Sequence, residues 1–128
     1  VDTGQVRWIA MPYALGTTTV PAAAAALCAK EQDRYFEFAN AMFAIEPAQT
    51  RLSPEGYDQA ATAIGLDLEQ FNACMDSARY IDTVNQNRDA ARNVQVSGTP
   101  TFFLNNEKLV GAQPLSAFAQ TIAALQEQ

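Results

Sequence analysis

The chain has 128 residues, is 48% hydrophobic, and carries a formal net charge of −6 with no histidine. That length suits one domain around one core, and an acidic chain without a run of Lys or Arg excludes nucleic acid and anionic membrane surfaces as natural partners. Without histidine there is no Ser-His-Asp triad, no Cys-His dyad and no His-bearing zinc site, and two cysteines are too few for a Cys-rich one.

In chain order, QVRWIAMPY is a nearly continuous apolar run between Gly4 and Pro12, which predicts a strand over residues 6–11 buried on both faces. Pro21 then sits at an early helical position, and apolar residues recur at Ala24, Leu27, Cys28, Tyr35, Phe38 and Met42. That spacing predicts one long amphipathic helix, stopped by Glu46-Pro47. Its small-apolar stretch PAAAAALCA is far short of the roughly 20 residues a spanning helix needs, so no membrane span is expected. Within RYFEFANAMF the same spacing turns Tyr35, Phe38 and Met42 toward a core rather than a ligand pocket. Ser53-Pro54 reads as an N-cap followed by proline at the first helical position, and Gly65 is placed to end that helix in the left-handed conformation. Asp67 and Gln70 form a capping-box-like pair opening a short helix with Leu66, Phe71 and Met75 toward the core. Ser77 is expected to cap a further helix carrying Ile81, Val84 and Ala91. The acidic residues lie scattered on polar helix faces without the spacing of a calcium loop, so no metal is expected.

VQVSGTPTFFLNN follows, with a proline at the mouth of an apolar run. Proline has no N–H for a ladder, so Pro100 must open a strand, lie on an edge or sit in a bulge. Gly98 permits a sharp turn, Thr99 is pushed toward extended geometry by the following ring, and Thr101 to Leu104 run straight as a strand. Asn105-Asn106 suits the positive backbone angles of a tight hairpin turn, and residues 108–110 return. Leu115, Phe118, Ile122 and Leu125 make a last amphipathic helix starting at Pro114. The order strand, helices, hairpin, helix describes an α/β domain in which residues 20–94 interrupt a strand-helix-strand-strand-helix unit.

SGTPTFFLNNEKLVGAQPLSAF resembles the C-terminal part of the DsbA-like thiol-disulfide oxidoreductases of the thioredoxin superfamily. LCAKEQDRYFEFANAMF resembles the start of that family's inserted helical subdomain, and IGLDLEQFNACM is similar to the helix that closes it. The resemblance runs in order over nearly the whole chain. It implies a thioredoxin-like fold with a helical subdomain at 20–94 and core portions at 1–19 and 95–128, together a single partial domain over 1–128. It also implies that Pro100 is cis, and that Thr99 and Pro100 bind substrate, Thr99 offering its backbone N–H and C=O to an extended chain by strand addition. The implied partners are extended or unfolded protein substrates and a redox partner protein, in an extracytoplasmic (periplasmic or secreted) setting, with no cofactor.

The chain departs from the family in having no Cys-X-X-Cys motif, whose place would be upstream of QVRWIAMPY. The expectation is therefore a fragment that lacks the N-terminal strand and the Cys-X-X-Cys helix, keeps the cis-proline substrate loop, has no catalytic cysteine pair and is inactive alone. Its rival is a redox-inactive thioredoxin-like module that binds peptides or proteins. An incomplete sheet leads further to self-association, domain swapping or complementation by another segment. Cys28 and Cys74 each fall on an apolar helix face. One reading has them as two buried free thiols; in the other, which the resemblance implies, a structural disulfide staples the first insertion helix to a later one.

Overall fold

The computed structural model describes residues 1–127, which form two compact units, Val1–Asp89 and a second from Ala90 onward. The first unit is helical. A 3-10 turn at Thr17–Thr19 leads into α1 (Val20–Lys30), followed by α2 (Tyr35–Ala44), a second 3-10 segment at Ala48–Leu52, α3 (Pro54–Ala63) and α4 (Leu68–Ser77). Helix α5 (Ile81–Asn93) begins in this unit and ends just past its boundary.

Helix α1 is alanine-rich and apolar nearly all round, and a helix of that kind belongs inside a fold rather than on its surface. Ala24 through Ala29 are all buried. Ala25, Ala26, Cys28 and Ala29 pack in a cluster with Phe38 of α2, Tyr57, Ala60 and Ala61 of α3, and Phe71 and Cys74 of α4. Ala24 and Leu27 join a second cluster with Ala14, Val20 and Val84. The small side chains let neighbouring helices approach closely, and the bulk comes from Phe38 and Phe71, whose rings lie 5.5 Å apart. Full burial of such a side chain is worth about 1.5–3 kcal/mol.

Two predicted elements differ. The single long helix is broken: α1 ends at Lys30, Asp33 takes a left-handed φ of 57°, and α2 begins at Tyr35. At the break, Gln32 clasps Asp67, accepting its N–H at 2.9 Å and donating to its carbonyl at 3.1 Å. Residues 6–11 form no strand, because a strand exists only through a ladder and these residues pair with no strand among the described residues. Trp8, Ile9 and Met11 are each more than half exposed.

The predicted caps of α3 and α4 are present. The Ser53 hydroxyl accepts the Gly56 N–H at 3.2 Å, and the Asp67 carboxylate accepts the Gln70 N–H at 3.0 Å. Gly65 takes a left-handed φ of 71° just after α3. Ser77 does not cap the next helix: it is the last residue of α4, and its hydroxyl donates backward to the Cys74 carbonyl at 2.6 Å.

The second unit contains β1 (Thr101–Leu104), β2 (Glu107–Val110) and α6 (Leu115–Gln126). The strands pair antiparallel, with Thr101 opposite Val110, Phe102 opposite Leu109, Phe103 opposite Lys108 and Leu104 opposite Glu107. Asn105 makes the tight turn at φ 52°. Phe102 meets Phe118 of α6 edge-on, ring centroids 4.8 Å apart.

Candidate functional site

The corner before β1 is held from both ends. Upstream, the Lys108 ammonium donates to the Gln95 carbonyl at 2.6 Å and the Val94 carbonyl at 3.3 Å, just beyond the end of α5. A cation there is favourable both as a hydrogen-bond donor and against the helix dipole. Downstream, the Gly111 N–H donates to the Pro100 carbonyl at 2.8 Å, extending the hairpin ladder by one step. Antiparallel pairing alternates, so with Pro100 and Phe102 bonded toward β2, the main-chain groups of Thr101 and Phe103 face the opposite edge of β1.

Between these anchors lie Gly98, Thr99 and Pro100. The Thr99–Pro100 peptide is cis. The Thr101 hydroxyl folds back and donates to the Gly98 carbonyl at 2.6 Å. Thr99 and Pro100 are both exposed, and the N–H and C=O of Thr99 have no hydrogen-bond partner among the described residues. This corner belongs to the second unit.

The cysteines lie in the first unit and are not free thiols. A disulfide joins Cys28 of α1 to Cys74 of α4, with Cα atoms 5.8 Å apart, and the two residues are 2% and 1% exposed. The expectation of a chain without a catalytic cysteine pair is therefore corrected: a cysteine pair is present and closed as a disulfide. Its members are 46 positions apart in sequence, and the packing of α4 against α1 brings them together. A search for two cysteines within one short motif cannot find a pair made by helix packing.

Polar contacts at the end of α1 flank the bridge. The Glu31 carboxylate accepts hydrogen bonds from Arg79 Nε at 2.9 Å, Arg79 Nη2 at 2.5 Å and the Tyr80 hydroxyl at 2.8 Å. The Arg79 hydrogen bonds first, and that from Tyr80 second, hold the Glu31 carboxyl below the usual carboxylate range. The same bond to Glu31 pushes the Tyr80 hydroxyl up. With the Gln32–Asp67 clasp, the end of α1 is tied both to the start of α4 and to the turn after it. Sequence reasoning missed Glu31, Arg79, Tyr80 and the Thr101 hydroxyl. For Thr101 a signal existed, since a threonine three residues after a turn glycine is placed to bond back to its carbonyl.

Among the described residues, no group of three or more His, Cys, Asp or Glu side chains is placed to hold a metal ion, and no helix is long and apolar enough to cross a membrane.

Comparison with known proteins agrees with this architecture. Residues 5–123 match the DSBA-like thioredoxin domain. A thioredoxin-like oxidoreductase from Silicibacter pomeroyi DSS-3 superposes with a TM-score of 0.77 at 24% identity, covering 92% of this chain and 67% of that one, and supports the fold. Two curated relatives are Na(+)/H(+) antiporters. NhaA 3 of Salinispora tropica is 33% identical over 101 residues, 79% of this chain and 15% of that protein. NhaA of Herminiimonas arsenicoxydans is 31% identical over 106 residues, 83% of this chain and 16% of that protein. The chain thus spans only about a sixth of the length of these relatives. With a match over nearly its whole length and a thioredoxin-like fold, the chain belongs to the DsbA-like thioredoxin domain family.

Proposed function

We propose that this chain is a DsbA-like oxidoreductase-family domain whose part is to receive an extended segment of a protein substrate at the Thr99–Pro100 corner. The observation that carries the reading is Thr99 itself, exposed and with neither main-chain group paired among the described residues. Such a residue supplies the hydrogen bonds by which an extended peptide is held through its backbone, whatever its side chains. The Cys28–Cys74 bridge is buried, and in this reading it fastens α1 to α4. A disulfide also supports an extracytoplasmic setting, since oxidising compartments preserve it.

The test is a titration of the 15N-labelled chain with reduced, carboxymethylated ribonuclease A, an unfolded protein that offers backbone but no thiol. Saturable shifts of the Thr99 and Thr101 amides are expected; a spectrum unchanged at these residues refutes the reading.

The two antiporter relatives favour a second reading, in which the domain is one part of a membrane transporter and acts on polypeptide segments of that transporter or its neighbours. Membrane-spanning segments encoded in the same reading frame are expected on this view, and a reading frame without them rejects it. Among the described residues, the two-stranded sheet leaves an open edge on each strand, which supports self-association or complementation by another segment.

A further inference from the structure

A trans peptide unit is planar, with its C=O and N–H pointing in opposite directions. The Gly98 carbonyl and the Thr99 N–H share one such unit, and the only cis bonds among the described residues are Glu46–Pro47 and Thr99–Pro100. Whatever holds the Gly98 carbonyl therefore also sets the direction of the Thr99 N–H. That holder is the Thr101 hydroxyl, at 2.6 Å. On the other side of Thr99, the Pro100 carbonyl is taken by the Gly111 N–H at 2.8 Å, and proline has no N–H to offer. Both neighbouring carbonyls are occupied, leaving the N–H and C=O of Thr99 as the adjacent pair open to a partner.

We propose that Thr101 is the positioning residue of this corner. Its hydroxyl locks the Gly98–Thr99 peptide so that the Thr99 N–H is presented outward, and the site accepts one residue of an extended chain through that residue's own C=O and N–H. The proposal rests on the reading of the corner as a polypeptide-binding site and adds a selectivity rule to it. Any side chain is accepted at the paired position, whereas proline or an N-methylated residue, which lacks the donor, is refused.

The test uses the full chain and the peptide acetyl-Ser-Val-Ser-Val-Ser-amide, with its set of single N-methyl variants, read by the Thr99 amide shift. Thr101→Val keeps the shape and removes the donor; Thr101→Ser keeps the donor. We expect Thr101→Val to weaken binding about three- to tenfold, the range a single neutral hydrogen bond supports, and Thr101→Ser to stay within about twofold. Equal binding by Thr101→Val, or equal weakening by Thr101→Ser, overturns the positioning role while leaving the binding site standing. If Thr101→Val does not fold, the N-methyl series on the unaltered chain decides: loss of binding at one position supports the proposal, and no loss at any position overturns it. Absence of binding by the unaltered chain overturns the underlying reading and this inference with it.

Discussion

Three hydrogen bonds converge on the Glu31 carboxylate, two from Arg79 and one from Tyr80. Because they favour its charged form, its pKa in the folded chain lies below the unfolded value. A lowered carboxylate pKa contributes stability that is present above the unfolded pKa and lost as pH falls through the folded one. Unfolding by urea is therefore expected to ease as pH drops below about 4.5, and Glu31→Gln is expected to flatten that acid limb. Identical pH profiles for the two proteins would contradict the assignment. A second residue-scale constraint lies at Gly56, in the first turn of α3, where an added Cβ would overlap the Thr50 carbonyl oxygen. Both atoms are tied to backbone, so Gly56→Ala is expected to destabilise by about 1–3 kcal/mol, measured as a fall in the urea midpoint. At this scale the caps at Ser53 and Asp67 were legible because capping depends on neighbours in sequence. The Glu31–Arg79 pair was not, since its partners are brought together only by the fold.

Among the elements, α1 organises the first unit. It lies at the junction of two apolar clusters, and it is bound to α4 by a disulfide and to both ends of α4 through Gln32 and Glu31. Closing a chain segment of 46 residues by a disulfide stabilises by roughly 4 kcal/mol in the chain-entropy description. Replacing both cysteines with alanine should lower unfolding stability by an amount of that order without abolishing α1–α4 packing, as read by urea denaturation and amide exchange. Because both sulfurs are buried, dithiothreitol should reduce the bridge no faster than the unit opens. Reduction at the rate of an exposed disulfide would count against this. The helices were legible from periodicity, and the hairpin from Asn105-Asn106 between apolar runs. The break between α1 and α2 was not: EQDR contains neither glycine nor proline, and the left-handed turn at Asp33 comes with a contact from Gln32 to Asp67, 35 residues away.

At the scale of the whole molecule, the family and fold were legible because three quoted stretches stand in the right order. The cysteines were visible in sequence only as two separate apolar positions, open to more than one reading until the helices are packed. The state of residues 6–11 was not legible at all. An apolar run predicts a strand only if a neighbouring strand exists to receive it, and pairing is not a property of the run alone. The open edges of the β1–β2 sheet bear on solution behaviour. Sedimentation velocity from about 10 to 200 μM is expected to reveal a concentration-dependent larger species, in keeping with the known hazard of unpaired edges. A single monomeric boundary throughout that range would reject self-association.

Lys30 and Lys108 are the only lysines in the sequence, and they differ in circumstance. Both are exposed, but the ammonium of Lys108 is engaged by the carbonyls of Val94 and Gln95, whereas that of Lys30 has no hydrogen-bond or ion-pair partner among the described residues. A limiting dose of an amine-acylating reagent should therefore mark Lys30 well before Lys108, and the delayed acylation becomes a chemical clock for the moments when the hairpin lets go of the segment it anchors.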